Sequence, residues 1–162
     1  MQARARPLRT AEAPLTAPYV RTLYLMHVLT HATRLRLDEA LRDLKLSSFQ
    51  YTILSVLEHN EGLSSARLSQ RFHIKPQSMG EMIAVLVNKG LVSRKESDSN
   101  RKILCLSLTA QGLAAVRAGD AIVGQLEVQL MGSFDPADMH LFRKMMRKML
   151  AKLKSETDND PT

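Results

Sequence analysis

The sequence predicts a mainly α-helical chain with one small β-hairpin. Three observations predict it. Apolar residues recur at helical spacing over most of the 162 residues. Ser, Thr or Asp-Pro stands where most of these periodic runs begin. Only one stretch, 91–108, changes to the alternation of a strand pair.

The first helix is expected over 19–42. Val20, Leu23, Met26, Leu29 and Leu35 follow near-helical spacing, while Leu25, Val28 and Leu37 widen the stripe. A helix apolar on so many sides is usually buried between neighbours or in an oligomer interface. Ser47 or Ser48 caps a second helix carrying Phe49, Ile53, Val56 and Leu57, and Asn60-Glu61-Gly62 ends it. Ser64 caps a short third helix with Leu68 and Phe72 on one face. Pro76 suits the first turn of a fourth, which Gly90 stops. In that helix Met79, Met82, Ile83 and Leu86 face inward, leaving Gln77, Ser78, Glu81 and Val85 outside. Strands follow at Leu91–Glu96 and Lys102–Leu108, joined by the turn-forming Ser97-Asp98-Ser99-Asn100. Thr109 caps a fifth helix, 110–131, with Leu113, Val116, Val123, Leu126 and Leu130 on one side. Asp135-Pro136 opens a sixth, 136–154, striped with Phe142, Met145, Met146, Met149, Leu150 and Leu153. Its methionines suit an adaptable packing surface.

Composition narrows the function. Hydrophobic residues make up 44% and charged residues 24%, the profile of a folded chain. Aromatics are only 4%, which argues against base-stacking binders of single strands. One cysteine, Cys105, excludes a disulfide framework or a Cys-rich zinc site. No apolar run reaches the length of a membrane span, and the basic N-terminus lacks the apolar core of a signal peptide, so a cytoplasmic protein is expected. Glycine-rich phosphate loops, nucleophile elbows and zinc-protease motifs are missing, so no enzyme, cofactor or metal is expected.

The net charge of +7 is unevenly spread. Arg4, Arg6 and Arg9, with Pro7, Pro14 and Pro18, suggest a flexible basic arm over 1–18. Residues 139–154 carry +6 with no acid, best read as a solvated helix face. Residues 64–104 carry +5, and these charges fall on three short helices followed by a hairpin. That is the plan of a winged helix-turn-helix. Its last helix enters the major groove, and its hairpin tip reaches the minor groove, where arginine is favoured. The expected tip residue is Arg101, flanked by Lys102 and by Arg94 and Lys95 on the partner strand. An ordinary solvated hairpin is the plainer alternative, but here scaffold and charge coincide.

From about Leu46 to Gly112 the sequence resembles the MarR family of dimeric winged-helix transcription regulators. The resemblance rests on Leu46-Ser47, Leu63-Ser64, Leu68-Ser69, Pro76 and Leu86. It continues through Lys89-Gly90-Leu91-Val92, Arg94, Asn100-Arg101-Lys102, Leu106 and Leu108-Thr109-Ala110-Gln111-Gly112. It implies a lobe at 46–108, dimerisation helices at 19–45 and 109–155, and a disordered tail at 156–162. It implies a homodimer on a pseudo-palindromic operator of double-stranded DNA. Ser64, Arg67, Lys75, Pro76, Arg94, Lys95, Asn100, Arg101 and Lys102 would hold the duplex, and Gln77, Ser78 and the acidic Glu81 would face the bases. The sequence departs from the family in having Ser97 and Asn100 where acids usually precede the wing arginine, Lys75 where Ser or Thr is common, and Glu81 where Arg is frequent. Asn100 can brace Arg101 by a hydrogen bond but not by an ion pair. Glu81 can accept from cytosine N4, or repel phosphate.

Similar regulators bind small aromatic or anionic effectors between the dimerisation helices and the lobe, and Tyr24, His27, His31 and Tyr51 are candidate fixtures of such a site. His27 and His31, four apart, have metal-ligand spacing, but no third ligand is apparent and ordinary surface histidines are the simpler account. Cys105 has no second cysteine to resolve an oxidised sulfur and is expected to be passive. Two other functions fit the composition: a nucleoid-type DNA binder without sequence preference, and a winged module that docks proteins.

Overall fold

The structure is a computed structural model and describes residues 21–60, 62–96 and 104–157. Six α-helices and one two-stranded antiparallel sheet are assigned among them. Helix α1 spans Thr22–Ala40, α2 Ser48–His59, α3 Ser65–Phe72, α4 Pro76–Asn88, α5 Ala110–Met131 and α6 Pro136–Thr157. Strands β1, Val92–Glu96, and β2, Leu104–Leu108, pair in the register Val92↔Leu108 to Glu96↔Leu104.

The helix starts have local causes. Ser47 Oγ accepts from the Gln50 N–H at 3.2 Å, and the Gln50 side chain accepts in return from the Ser47 N–H at 3.3 Å, a reciprocal capping box. Of the two expected serines, the cap is therefore Ser47. Ser64 Oγ caps α3 through the Arg67 N–H at 3.2 Å, Thr109 Oγ1 caps α5 through the Gly112 N–H at 2.9 Å, and Asp135 Oδ1 takes the Asp138 N–H at 2.8 Å.

The helix ends repeat one device. After α4, Gly90 turns left-handed (φ 71°), its N–H reaches Val87 O at 2.8 Å, and the Leu91 N–H reaches Leu86 O at 3.0 Å. His73 (φ 52°) makes the same turn after α3, and Lys45 (φ 54°) makes it before α2. Each is followed by an apolar residue, and Leu46 and Leu91 are both buried. These turns adjust two expected boundaries. The first helix stops at Ala40, and Arg42–Leu44 tighten into a 3₁₀ turn, because the chain must reverse at Lys45. The first strand begins at Val92, because the Leu91 N–H is already committed to the helix end. The last helix runs three residues past the expected 154, to Thr157.

The core comprises Leu41, Leu46, Ile53, Leu54, Leu57, Leu68, Met79, Ile83, Leu86, Leu91, Val92, Leu106 and Val116. All of it lies between residues 41 and 116. The expected inner face of α4 is met by Met79, Ile83 and Leu86, with Met82 half-buried. Phe72 meets Phe49 edge to face at 5.2 Å. Outside the core, α1 and α6 bury no side chain among their described residues, and only the first half of α5 does. Leu23, Leu29, Leu35, Val128, Met145, Leu150 and Leu153 are each more than half exposed. No described helix is long and apolar enough to cross a membrane.

Candidate DNA-binding face

Helix α4 is aimed by the helices and strands around it. It packs against α3 and β1, and its buried side leaves Gln77, Ser78, Glu81 and Val85 exposed, as the periodicity predicts. Lys75 occupies the N-cap position, and Pro76 opens the first turn. The unpaired N–H groups of that turn give this end a partial positive charge, to which the Lys75 ammonium adds. Gln77 Nε2 donates to Glu81 Oε1 at 3.2 Å, so the two expected base readers brace each other across one turn. The amide keeps its carbonyl free, and the carboxylate keeps acceptor positions for a base amino group.

The hairpin is tied to α3. The Leu106 N–H donates to Leu63 O at 2.9 Å, and Ser64 bridges Cys105 as a short third strand. One edge of β2 is thus covered, and Ser64 and Arg67 are held beside the wing. Arg67, Arg94 and Lys95 are exposed. Asn100, Arg101 and Lys102, the expected tip, lie outside the described residues, as does the arm over 1–18.

Lys89 changes how the charge is apportioned. Its ammonium donates to Lys45 O at 2.6 Å and Gln50 Oε1 at 2.9 Å, joining the end of α4 to the start of α2. One of the positive charges in 64–104 is therefore part of the scaffold and does not face DNA. The neighbouring glycine and threonine are also structural. Thr109 Oγ1 donates to Gly90 O at 2.6 Å, and a Cβ on Gly112 would lie 2.0 Å from Leu91 O. Only glycine allows α5 to start this close to the turn that ends α4.

The other candidates are separated. Tyr24, His27 and His31 lie along one exposed side of α1. Tyr51 is half-buried between α2 and α5, and its hydroxyl donates to Asp120. Burial, reinforced by the Asp120 carboxylate, raises the Tyr51 phenol well above its usual range, so it stays a donor. Among the described residues no group of three His, Cys, Asp or Glu is placed to hold a metal.

Sequence reasoning missed two residues. Asp38 on α1 accepts the Ser48 N–H at 2.6 Å and lies 3.7 Å from Arg34. Its carboxyl is lowered mainly by that backbone hydrogen bond. Asp120, the Tyr51 partner, is 69 positions away in sequence. A lone acid in a helix carries no local sign of such a contact.

Comparison with known proteins matches the same region. The family model described as MarR family covers residues 42–103, which takes in the 3₁₀ turn, α2, α3, α4 and β1. Over this region the chain is similar to the MarR family. The chain is 28% identical over 126 residues to the transcriptional repressor Rv2887 of Mycobacterium tuberculosis, covering 78% of this chain and 91% of the relative. The crystal structure of Rv2887 with salicylic acid is 27% identical, with a TM-score of 0.63 over 80% of this chain and 96% of that one. The S. aureus MepR–DNA complex shares the fold at 19% identity, with a TM-score of 0.75 over 85% and 99% of the two chains. The winged-helix fold is thus shared with these proteins, and the likeness supports a DNA-binding transcription regulator.

Proposed function

We propose that this chain is a cytoplasmic, homodimeric repressor of the MarR family that binds a pseudo-palindromic operator and is released by a small aromatic or anionic effector. The observation that carries this is the outward face of α4, where Gln77, Ser78 and Glu81 are exposed while Met79, Ile83 and Leu86 anchor the helix in the core. A helix held in this way fits the major groove with its base-facing side chains already aligned. Ser64, Arg67, Lys75, Arg94 and Lys95 supply phosphate contacts around it, and the sequence offers Asn100, Arg101 and Lys102 as further contacts.

Homodimerisation is supported by the exposed apolar surface of α1, the end of α5 and α6. The repressor role is supported by the name of the relative Rv2887, and the effector by its salicylic acid complex. Tyr24, His27 and His31 present polar groups for such a ligand on α1, and Tyr51, whose hydroxyl donates to Asp120, is the fourth candidate.

The test is selection of operators from a randomised duplex library, followed by anisotropy titrations. A two-fold-symmetric site with half-sites about 10 bp apart is expected, preferred over random duplex by about 10³-fold. Arg101→Ala is expected to weaken that site about ten-fold while the dimer persists. Equal binding to random duplex points instead to a nucleoid-type protein, and no retardation at low salt points to a protein-docking module.

A further inference from the structure

Helix α5 packs on the lobe through Ala115, Val116, Ile122 and Val123, and two further contacts fix how it lies there. The first is its N-terminus. The Thr109 N–H donates to Leu91 O at 3.1 Å, Thr109 Oγ1 donates to Gly90 O at 2.6 Å, and Gly112 lies against the Leu91 carbonyl. The second, at Gly119 and Asp120, lies seven and eight residues beyond Gly112, roughly 12 Å along the helix at 1.5 Å per residue. There a Cβ on Gly119 would lie 2.6 Å from Tyr51 Cδ2 and 2.7 Å from Cε2, so the ring rests on bare backbone. The next residue, Asp120, takes the Tyr51 hydroxyl. Glycine and aspartate side by side thus form a seat and a catch for one tyrosine.

Beyond this second attachment the half-buried Ile122 and Val123 still touch the core, and after them the helix leaves it. Val116 and Gly119 are its last buried residues, and Gly124 has nothing near its missing side chain. A rod pinned only at its end can swivel, whereas a rod pinned at two separated points cannot. We propose that the Tyr51–Asp120 contact on Gly119 is a positioning latch that fixes the angle between the DNA-binding lobe and the dimerisation helices, and so sets the half-site spacing the protein accepts. This rests on the homodimeric, operator-binding function proposed above.

The scale of the effect follows from the geometry. About 2 Å of slack at the latch, over the roughly 12 Å between attachments, is about 10° of tilt. A 10° tilt moves a group lying about 17 Å from the pivot by about 3 Å, close to the 3.4 Å rise of one base pair, roughly the smallest step by which spacing can change.

Asp120→Asn, Tyr51→Phe and the double variant test the latch, in the full chain, on operators with half-sites moved one base pair closer or further apart. Tyr51→Phe keeps the ring on Gly119, so it remains informative if Asp120→Asn folds poorly. Melting by circular dichroism and sedimentation identify the folded dimers to be titrated. Wild-type protein is expected to reject altered spacing by about ten-fold or more, narrowing to about three-fold or less in the variants, with the double variant no worse than either single. Folded, dimeric variants with the wild-type spacing profile overturn the latch alone. A uniform loss of affinity at every spacing also overturns it, since general destabilisation acts that way. Wild-type protein that prefers no spacing overturns the dimeric operator-binding function itself, and the latch with it.

Discussion

Asp38 illustrates what a single side chain contributes here. It stands on α1, ten positions before the Ser48 N–H it accepts, and so closes one of the open donors of α2 from outside that helix. Arg34 lies beside it, but that pair is solvent-exposed and adds little. Replacing Asp38 by Ala should destabilise the fold by about 1 kcal/mol, the ordinary worth of a helix cap. The sign of the pH dependence follows from the lowered carboxyl. Stability from Asp38 is present above the unfolded-chain value, about pH 4, and is lost as pH falls through the lower folded-state value. Thermal melting of wild type and variant should therefore differ at neutral pH and converge in acid. A constant gap down to about pH 2 would show that the charge on Asp38 contributes nothing.

At the scale of the element, α1 and α6 contrast with the lobe. The helices between Ser48 and Asn88 each have one buried side, whereas α6 buries none of its described side chains. Phe142 and Met149, two turns apart, are 38% and 39% exposed, and Met145 and Leu150 are more exposed still. An apolar stripe this long is costly to leave in water, at about 25 cal/mol per Å². Phe142→Glu combined with Met149→Glu should break the proposed dimer. Sedimentation should show monomers, operator affinity should fall by about 100-fold or more because two half-sites are no longer held together, and the lobe should keep its helical signal. A dimer that survives both charges would place the interface elsewhere.

At the scale of the whole molecule, the +7 charge is divided among separate tasks. Lys89 is used inside the lobe, Lys75, Arg67, Arg94 and Lys95 are presented around α4, and Arg143, Lys144, Arg147 and Lys148 line the exposed α6. The proposed dimer doubles the set around α4. Neutralising about six or more phosphates predicts a slope of log affinity against log salt steeper than about −5, a loss of about 10³-fold between roughly 50 and 200 mM. Operator titrations over that range measure it. A slope shallower than about −3 would show that most of these cations do not contact the duplex.

Much of the fold was legible in the chain itself, because caps and periodicity are local. Ser64, Pro76, Gly90, Thr109 and Asp135-Pro136 each mark a boundary through their own hydrogen bonds or backbone angle, and the apolar spacing of α4 left Gln77, Ser78 and Glu81 facing out. The left-handed turns at Lys45 and His73 were not legible. Neither residue favours that conformation, and it is imposed by the packing of Leu46 and Ile74 against the core. Nor were the roles of Lys89, Asp38 and Asp120, which look like any other charged residue in a helix. Their partners lie 10 to 69 positions away and meet them only when the helices pack. Local chemistry thus dictated the elements and their exposed faces. Packing alone chose which charges became scaffold and which remained available to a ligand.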